Sequence, residues 1–215
     1  MNTIRRLQKL RIMEIGFGRM LNENLIKQMK DYAELNNVPI MTDDGIDYLT
    51  KYIKDNNVKS ILEVGAAIGY SSIMMCGVDE DITVTTIERD EKRYLEAVKN
   101  IKKFNLENRI NLIYNDALEV NIDGEFDLIF IDAAKAQNRK FFEKFEKNLK
   151  TDGTIITDNM NFHGLVDTDP KNIESRNLRQ LVRKVKEYKE FLESNEKFES
   201  KFLDIGDGIA VSKRK

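Results

Sequence analysis

Acidic and amide side chains follow two apolar segments of this sequence. Asp132 comes directly after "FDLIFI", and Asp158 and Asn159 come directly after "GTIIT". Neighbouring strands of a parallel sheet lie about 4.8 Å apart, so three oxygen donors at adjacent strand ends can converge on one cation. Two carboxylates and an amide, without cysteine or a histidine cluster, suit a hard ion that keeps waters, such as Mg²⁺. The pattern predicts a metal site; the alternative is that these acids only decorate the ends of strands.

Lys135 lies one helical turn beyond Asp132 and belongs to the same candidate site. A lysine at this position can reach into the cavity at the strand ends. A bound dication would lower its pKa and let it act as a general base. Taken alone, Lys135 would be an ordinary solvated lysine.

A second group of residues has the spacing of a nucleotide site. "ILEVGAAIGYSS" is typical of a strand, a glycine turn and a helix start, where Gly65 and Gly69 let the backbone pass close to a ligand. Glu88 ends the next strand, where an acid commonly accepts both ribose hydroxyls, and Asp116 ends the one after it, within reach of an adenine amino group. Ala67 stands where a dinucleotide fingerprint has a glycine, which disfavours a pyrophosphate ligand. The three strand ends predict an adenosine-shaped slot; the alternatives are a structural tight turn and a helix-capping Glu88.

Alternating strand and helix patterns must position these side chains. From Lys59 onward, the strand-like segments are "SILEVG", "ITVTTIE", "INLIYND", "FDLIFID" and "GTIITDN", with helical segments after the first, second and fourth of them. Such alternation predicts βαβ units around a parallel sheet that has helices on both faces. The last residues, "KFESKFLDIGDGIAVSKRK", instead predict two strands joined at a turn over residues 206–208.

Helices are predicted ahead of the sheet and between its strands. Three helical segments cover roughly Ile4 to Ile15, Asn22 to Asn36 and Asp43 to Asn56, the last with Thr42 as its N-cap. The helix after the second strand has apolar residues near helical spacing and a charged, solvated side. Its apolar positions are Leu95, Val98, Ile101 and Leu106. The loop from Phe162 to Ile173 is the best candidate for a mobile lid.

Composition restricts the class of protein. With 215 residues, 41% of them hydrophobic, we expect one domain over residues 1–215, with helices over 1–57 ahead of a core over 58–215. The formal charge of −2 gives no global attraction to nucleic acid. One cysteine, Cys76, excludes an internal disulfide, and it is expected in the core. Without a signal-like start or an apolar run of about 18 residues, we expect a cytoplasmic protein that does not enter a membrane.

Taken together and in this order, these motifs resemble a known enzyme family. The segments "LEVGAAIGYSS", "IERD", "NDALE", "DAAK" and "TDNM" are similar to those of class I S-adenosylmethionine-dependent O-methyltransferases of the metal-dependent catechol and caffeoyl-CoA type. The resemblance runs from "VPIMTDDG" to the terminal hairpin. It implies a Rossmann-like α/β fold with a seven-stranded, mostly parallel sheet whose last strand is antiparallel.

The resemblance also implies roles for individual residues. Asp132, Asp158 and Asn159 would bind Mg²⁺, and Lys135 would be the base or would orient the substrate oxygen. Glu88 would hold the ribose of S-adenosylmethionine. The other implied cofactor contacts are the Gly65 turn with Ser71 at the methionine part, Asp116 and Ala117 at the adenine, and Met41, Thr42, Glu63 and Asp132 along the pocket.

The carboxyl-terminal part resembles a narrower group. The runs "SRNLR…VRKVKEY" and "GDGIAVSK" are similar to bacterial tRNA 5-hydroxyuridine methyltransferases, which make 5-methoxyuridine at the wobble position, and the tryptophans that gate animal catechol enzymes are absent because the chain has none. A 5-hydroxyuridine presents its hydroxyl beside a carbonyl, so it can chelate a metal as a catechol does. Arg5, Arg6, Arg176 and Arg179 are candidate phosphate contacts, although a solvated charged face explains them equally well.

Other functions stay open from the sequence. The acceptor can be a small catechol or a phenylpropanoid thioester with unchanged chemistry. A noncatalytic RNA-binding protein is disfavoured by the complete metal and base set, and a nicotinamide-dependent oxidoreductase by the missing glycine. The amino-terminal helices carry more apolar residues than one face needs, which, with the resemblance, predicts a homodimer. These residues include Ile12, Met13, Ile15 and Phe17.

Overall fold

The computed structural model describes residues 21–161 and 175–215. The predicted helix from Ile4 to Ile15, with Arg5 and Arg6, lies outside the described residues, as does the predicted loop from Phe162 to Ile173. The two other predicted amino-terminal helices are present as α1 (Glu23–Leu35) and α2 (Asp43–Asp55). Thr42 caps α2 as expected, since its hydroxyl accepts a hydrogen bond from the Gly45 backbone N–H at 3.3 Å.

Seven strands within the described residues form one sheet. Their bounds are β1 (Ser60–Val64), β2 (Thr83–Glu88), β3 (Ile110–Tyr114), β4 (Phe126–Ile131), β5 (Leu149–Thr157), β6 (Phe198–Leu203) and β7 (Ile209–Arg214). Their order across the sheet is β3-β2-β1-β4-β5-β7-β6. The first five pair in parallel, while β7 lies antiparallel between β5 and β6. The predicted mixed sheet and terminal hairpin are confirmed.

The remaining helices follow β1, β2, β4 and β5. They are α3 (Tyr70–Cys76), α4 (Glu91–Lys103), α5 (Asn138–Phe145) and α6 (Arg176–Glu193), with short 3₁₀ turns at Lys135–Gln137 and Glu146–Asn148. Asp90 and Ser175 cap α4 and α6 through their side-chain oxygens. No helix in the ranges 21–161 and 175–215 has the length and apolar character needed to cross a membrane.

Two hydrophobic clusters cover the two faces of the sheet. One contains buried residues of α1, α2 and α3 and Ile101 of α4, packed on side chains such as Ile61 and Phe130. The other contains α5 and α6, packed on Leu62 and Ile131. Successive strand residues point to opposite faces, and both faces are buried, so each central strand is apolar throughout. Cys76 is fully buried in the first cluster, as expected.

The orientation of α4 differs from the sequence prediction. Ile101 and Leu106 are buried as expected, but Leu95 and Val98 are 50% and 42% exposed. The helix instead turns Ala97 and Asn100 inward. The Asn100 Nδ2 donates to the Ile68 carbonyl at 3.0 Å, and a buried carbonyl left without a donor would cost about 1–3 kcal/mol. That hydrogen bond favours a rotation of the helix that the apolar spacing alone does not predict.

Candidate active site

The turn between β1 and α3 is held tightly against the end of β4. Gly65 has φ +103°, and a carbon added to it would lie 2.2 Å from the backbone oxygen of Asp132. Ala67 and Gly69 also have positive φ, at 46° and 80°. Glycine at 65 is therefore required by contact with the protein's own backbone. This contact brings the predicted cofactor turn and the predicted metal edge together.

Glu88 is fixed at the carboxyl end of β2 by the backbone. One of its oxygens accepts from the Ala67 N–H at 2.7 Å, and the other accepts from the N–H groups of Arg89 and Asp90 at 2.9 and 2.8 Å. The side chain is buried, at 7% exposure. A carboxylate has about four acceptor positions, so these three hydrogen bonds leave about one for a further donor such as a ribose hydroxyl.

Glu63 lies under the glycine turn and is completely buried. Its oxygens accept hydrogen bonds from the hydroxyls of Ser71, Ser72 and Thr86. Burial raises the pKa of Glu63 to about 7, against the opposing effect of these three donors. The sequence does not predict the roles of Ser72 and Thr86, whose one signal is a hydroxyl at an otherwise apolar helix or strand position.

Asp116, which is predicted to contact the adenine, is bound by a backbone N–H and by an arginine side chain of the protein itself. Its carboxylate accepts from the Leu118 N–H at 2.8 Å and pairs with the Arg89 guanidinium at 3.1 Å. The Leu118 N–H, followed by Arg89, lowers the pKa of Asp116. Ala117 beside it is buried. Arg89 was missed at the sequence level, because its reach from β2 to the end of β3 depends on the pairing of these strands.

Asp132, Asp158 and Asn159 meet at the ends of β4 and β5. The Asn159 Nδ2 donates to Asp132 Oδ1 at 3.1 Å, and the Asp158 backbone N–H donates to the Ile131 carbonyl at 3.1 Å. Asn159 has φ +66°, a left-handed conformation that asparagine tolerates better than most residues. The predicted neighbours are therefore in contact, and the local backbone turns the Asn159 amide toward Asp132.

Burial raises the pKa values of the two acids at this edge, Asp132 and Asp158. Burial raises the pKa of Asp132 to about 6, with Lys135 lowering it and Asp207 raising it. Burial, and then the charge of Asp132, raise the pKa of Asp158 to about 7. The charge of Lys135 therefore acts on both carboxylates, and its role as a base stays a prediction. Asp207 is a further acid whose charge acts on this edge, which the sequence alone does not predict.

These residues fit a hard divalent cation by the chemistry of their donors. Two buried carboxylates whose pKa values are raised, that of Asp158 partly by the charge of Asp132, would be stabilised as anions by a cation between them. The Asn159 carboxamide offers a neutral oxygen after rotation of its amide, and such oxygen sets suit Mg²⁺. Over residues 21–161 and 175–215, no three His, Cys, Asp or Glu side chains form a metal-binding group. The fit rests on two acids and an amide.

The remaining predicted residues lie on other elements. Met41 is buried beside Thr42, ahead of α2. Arg176 and Arg179 are exposed in the first turn of α6. That helix contacts the 3₁₀ turn that begins at Lys135, so the two arginines are on an element that touches the candidate site.

Comparison with known proteins identifies the family. The sequence profile described as O-methyltransferase matches residues 18–215. A caffeoyl-CoA O-methyltransferase of Populus kitakamiensis is 30% identical over 193 residues, covering 86% of this chain and 82% of that protein. A flavonoid 3',5'-methyltransferase of Vitis vinifera is 29% identical, covering 90% of this chain and 85% of its own.

Solved structures agree with the sequence relatives. A Staphylococcus aureus protein, described provisionally as a caffeoyl-CoA O-methyltransferase, has a TM-score of 0.84 at 44% identity and covers 88% of this chain and 92% of its own. An O-methyltransferase of Bacillus cereus in complex with SAH has a TM-score of 0.77 at 23% identity, over 96% of each chain, and at that identity shows the fold alone. The chain therefore belongs to the O-methyltransferase family.

Proposed function

We propose that the protein is a Mg²⁺-dependent O-methyltransferase that moves a methyl group from S-adenosylmethionine to the hydroxyl of 5-hydroxyuridine at the tRNA wobble position. The product would be 5-methoxyuridine. The main support for this chemistry is the close approach of Gly65 to the Asp132 carbonyl, which brings the glycine turn and the acidic edge together. We treat residues 1–215 as one catalytic domain.

The cofactor assignment is supported by the side of the site around the glycine turn. Glu88 presents a carboxylate already oriented by three backbone N–H groups, with about one acceptor position left for a ribose hydroxyl. Ser71, at the start of α3, is held by Glu63 beside the turn where the methionine carboxylate would lie. The structural neighbour from Bacillus cereus, solved with SAH, is consistent with this slot. Bound S-adenosylmethionine would supply an electrophilic methyl group.

The acceptor side is assigned to Asp132, Asp158 and Asn159 as holders of the cation. A bound divalent cation would supply Lewis-acid polarisation of the acceptor hydroxyl. Lys135, whose charge acts on both acids, would receive the hydroxyl proton on its Nζ when it is neutral. The rigid turn at Gly65 would hold the two reactants at attack distance.

The tRNA acceptor is supported by less direct observations. The terminal hairpin and α6 contain the runs that resemble the tRNA 5-hydroxyuridine enzymes. Arg176 and Arg179 are exposed on α6, which contacts the turn that carries Lys135. A wobble base lies in a loop and can be splayed into a cavity, as sequence-selective RNA binding requires. We further propose that the enzyme acts as a homodimer.

A phenolic acceptor is the second candidate. The Populus and Vitis relatives are described as methyltransferases of caffeoyl-CoA and of flavonoids, and a catechol would use the same donor slot and acids. The complete set at residues 132, 135, 158 and 159 argues against a noncatalytic RNA-binding protein, because simple binding needs neither a base nor a metal.

Nucleoside mass spectrometry distinguishes the acceptors. The purified protein is incubated with S-adenosylmethionine, Mg²⁺ and hydroxyuridine-containing tRNA, and in parallel with catechol and with caffeoyl-CoA. We expect a new 5-methoxyuridine peak from the tRNA. A methylated phenol with unchanged tRNA would refute the RNA acceptor and leave the second candidate.

A further inference from the structure

Three buried side-chain oxygens in the part of the chain that the structure describes have no hydrogen-bond partner. They belong to Gln137, Asn138 and Asn148. The first two come shortly after Lys135, and Asn138 is the more buried of them, at 3% exposure. Buried polar groups in folded proteins almost always have a partner, so an unpaired one needs a reason in function or in strain. The Asn138 oxygen is therefore a candidate to accept a hydrogen bond that forms only during the reaction.

The backbone puts Asn138 on the same side of its turn as Lys135. Residues Lys135–Gln137 form a 3₁₀ turn, and at its end the Asn138 N–H donates to the Lys135 carbonyl. Side chains three residues apart in a 3₁₀ helix lie directly above one another. The Asn138 carboxamide is therefore the next side chain on the face of the turn that carries the Lys135 amine.

The proposed reaction creates a new donor at this place. Lys135 would take the proton of the acceptor hydroxyl on its Nζ and would then carry three N–H donors. Its charge acts on Asp132 and Asp158, but both of these acids are assigned to the cation. The ammonium therefore needs an acceptor outside the cation's ligands. Because Asn138 Oδ1 is buried, bulk water does not compete for it.

We propose that Asn138 is a positioning residue for the base, and that its Oδ1 accepts a hydrogen bond from the protonated Nζ of Lys135. The inference rests on the role of Lys135 in the proposed function. The acceptor oxygen loses its proton to Nζ and bonds to the methyl carbon, while the carbon–sulfur bond breaks and its electron pair stays on sulfur. A hydrogen bond from a charged donor is about twice as strong as one between neutral groups. The bond to Asn138 therefore stabilises the state of the enzyme in which the proton has been taken.

The test compares activity with stability in Asn138→Leu, which removes the carboxamide and has a side chain of similar size. With the acceptor that the wild-type protein methylates, kcat should fall about 10-fold or more, as expected for loss of a hydrogen bond to a charged group. The KM for this acceptor and the affinity for S-adenosylhomocysteine should change less than about twofold. The midpoint of urea unfolding should stay equal or rise, because an unpaired buried polar group is replaced by an apolar one. Asn138→Ala, which needs no additional space, should lower kcat to the same extent.

Asn148→Leu is the matched control, with opposite expectations. Asn148 also has a buried, unpaired Oδ1, but it lies beyond the carboxyl end of α5. Its Nδ2 donates to the carbonyls of Ile122 and Gly124, each at 2.9 Å. The control should therefore unfold at a lower urea concentration, because two hydrogen bonds are lost, while kcat stays as in wild type.

A double-mutant cycle with Lys135→Ala shows whether Asn138 acts through the lysine. Adding Asn138→Leu to Lys135→Ala should cause no further loss of the single-turnover rate. An equal fold loss in both backgrounds would overturn the inference, and so would an unchanged kcat in Asn138→Leu or a fall in its urea midpoint like that of the control. Full activity of Lys135→Ala, or no methylation of either class of acceptor by the wild type, would instead refute the proposed function on which the inference rests.

Discussion

Around the glycine turn, buried carboxylates are matched by donors from the protein. Glu88 accepts from three backbone N–H groups and Glu63 from three hydroxyls. At the ends of β4 and β5, Asp132 and Asp158 lie close together, and burial and mutual repulsion raise the pKa of Asp158 to about 7. The carboxylates of the first region are held by donors of the protein, whereas those of the second would be stabilised by added positive charge. The contrast supports the proposal of a cofactor slot formed in advance beside an edge that a cation would complete.

Removing Asp132 should have the largest effect on activity. Asp132→Ala deletes a predicted cation ligand, and loss of metal assistance worth several kcal/mol corresponds to a decrease in kcat of at least about 10³-fold. The metal-free protein should unfold at an equal or higher temperature, because a buried acid is removed from a repulsive pair. Steady-state kinetics and calorimetry measure the two effects. An unchanged turnover number in this variant would show that Asp132 has no role in the reaction.

The contact that joins the two regions can be broken at Gly65. Gly65→Ala should lower the free energy of unfolding by at least about 3 kcal/mol, because the new carbon would overlap the Asp132 backbone oxygen. Gly124→Ala is the matched control, with φ +89° and no atom within 4 Å of the added carbon. It should lose only about 1–2 kcal/mol. Urea unfolding measures both; equal losses would show that the close contact is unimportant.

The buried Glu63 beneath the glycine turn should make the stability of the protein depend on pH. The pKa of Glu63 in the folded protein lies above its ordinary value, so folding favours the neutral form of this side chain. The contribution of Glu63 to the free energy of unfolding is therefore fully present below about pH 4.5 and is lost as the pH rises to about 7. Glu63→Gln does not ionise and should reduce this loss by at most about 3 kcal/mol. Urea unfolding between pH 4 and 8 measures the slope. Identical slopes in variant and wild type would show that Glu63 does not ionise in this range.

The smallest expected effect is on the kinetics with tRNA when the two arginines in the first turn of α6 are changed. Reversing Arg176 and Arg179 to Glu should decrease kcat/KM for tRNA about 10-fold at moderate salt, while affinity for S-adenosylmethionine stays unchanged. Reversing Lys102 and Lys103 to Glu changes the charge equally on α4, which packs on the opposite face of the sheet, and should have little effect. Unchanged tRNA kinetics in the arginine variant would exclude this patch.

Most of the strand-end geometry follows from local sequence patterns. Apolar runs ending in Asp132 and Asp158 predict where strands stop, and parallel pairing then brings their ends to one edge. The cap at Thr42 and the hairpin turn at 206–208 are likewise encoded by a few adjacent residues. These features depend on neighbours in the chain, so the sequence alone is enough to predict them.

Other features depend on contacts between distant residues. The inward turn of Asn100 is set by the Ile68 carbonyl, and the buried Glu63 is satisfied by Thr86 from the adjacent strand. Asp207 reaches the acidic edge only because β7 returns antiparallel beside β5. No local pattern encodes which side chains meet across strands, so these partners require the structure.

We expect the acidic edge to work only with a cation, whereas the cofactor slot should not need one. Methyl transfer in a single turnover tests this, with S-adenosylhomocysteine binding measured alongside, in chelator and after Mg²⁺ is restored. Transfer should be lost in chelator and recovered with Mg²⁺, while the affinity for S-adenosylhomocysteine stays nearly constant. Full transfer in chelator would show that the edge works without a cation.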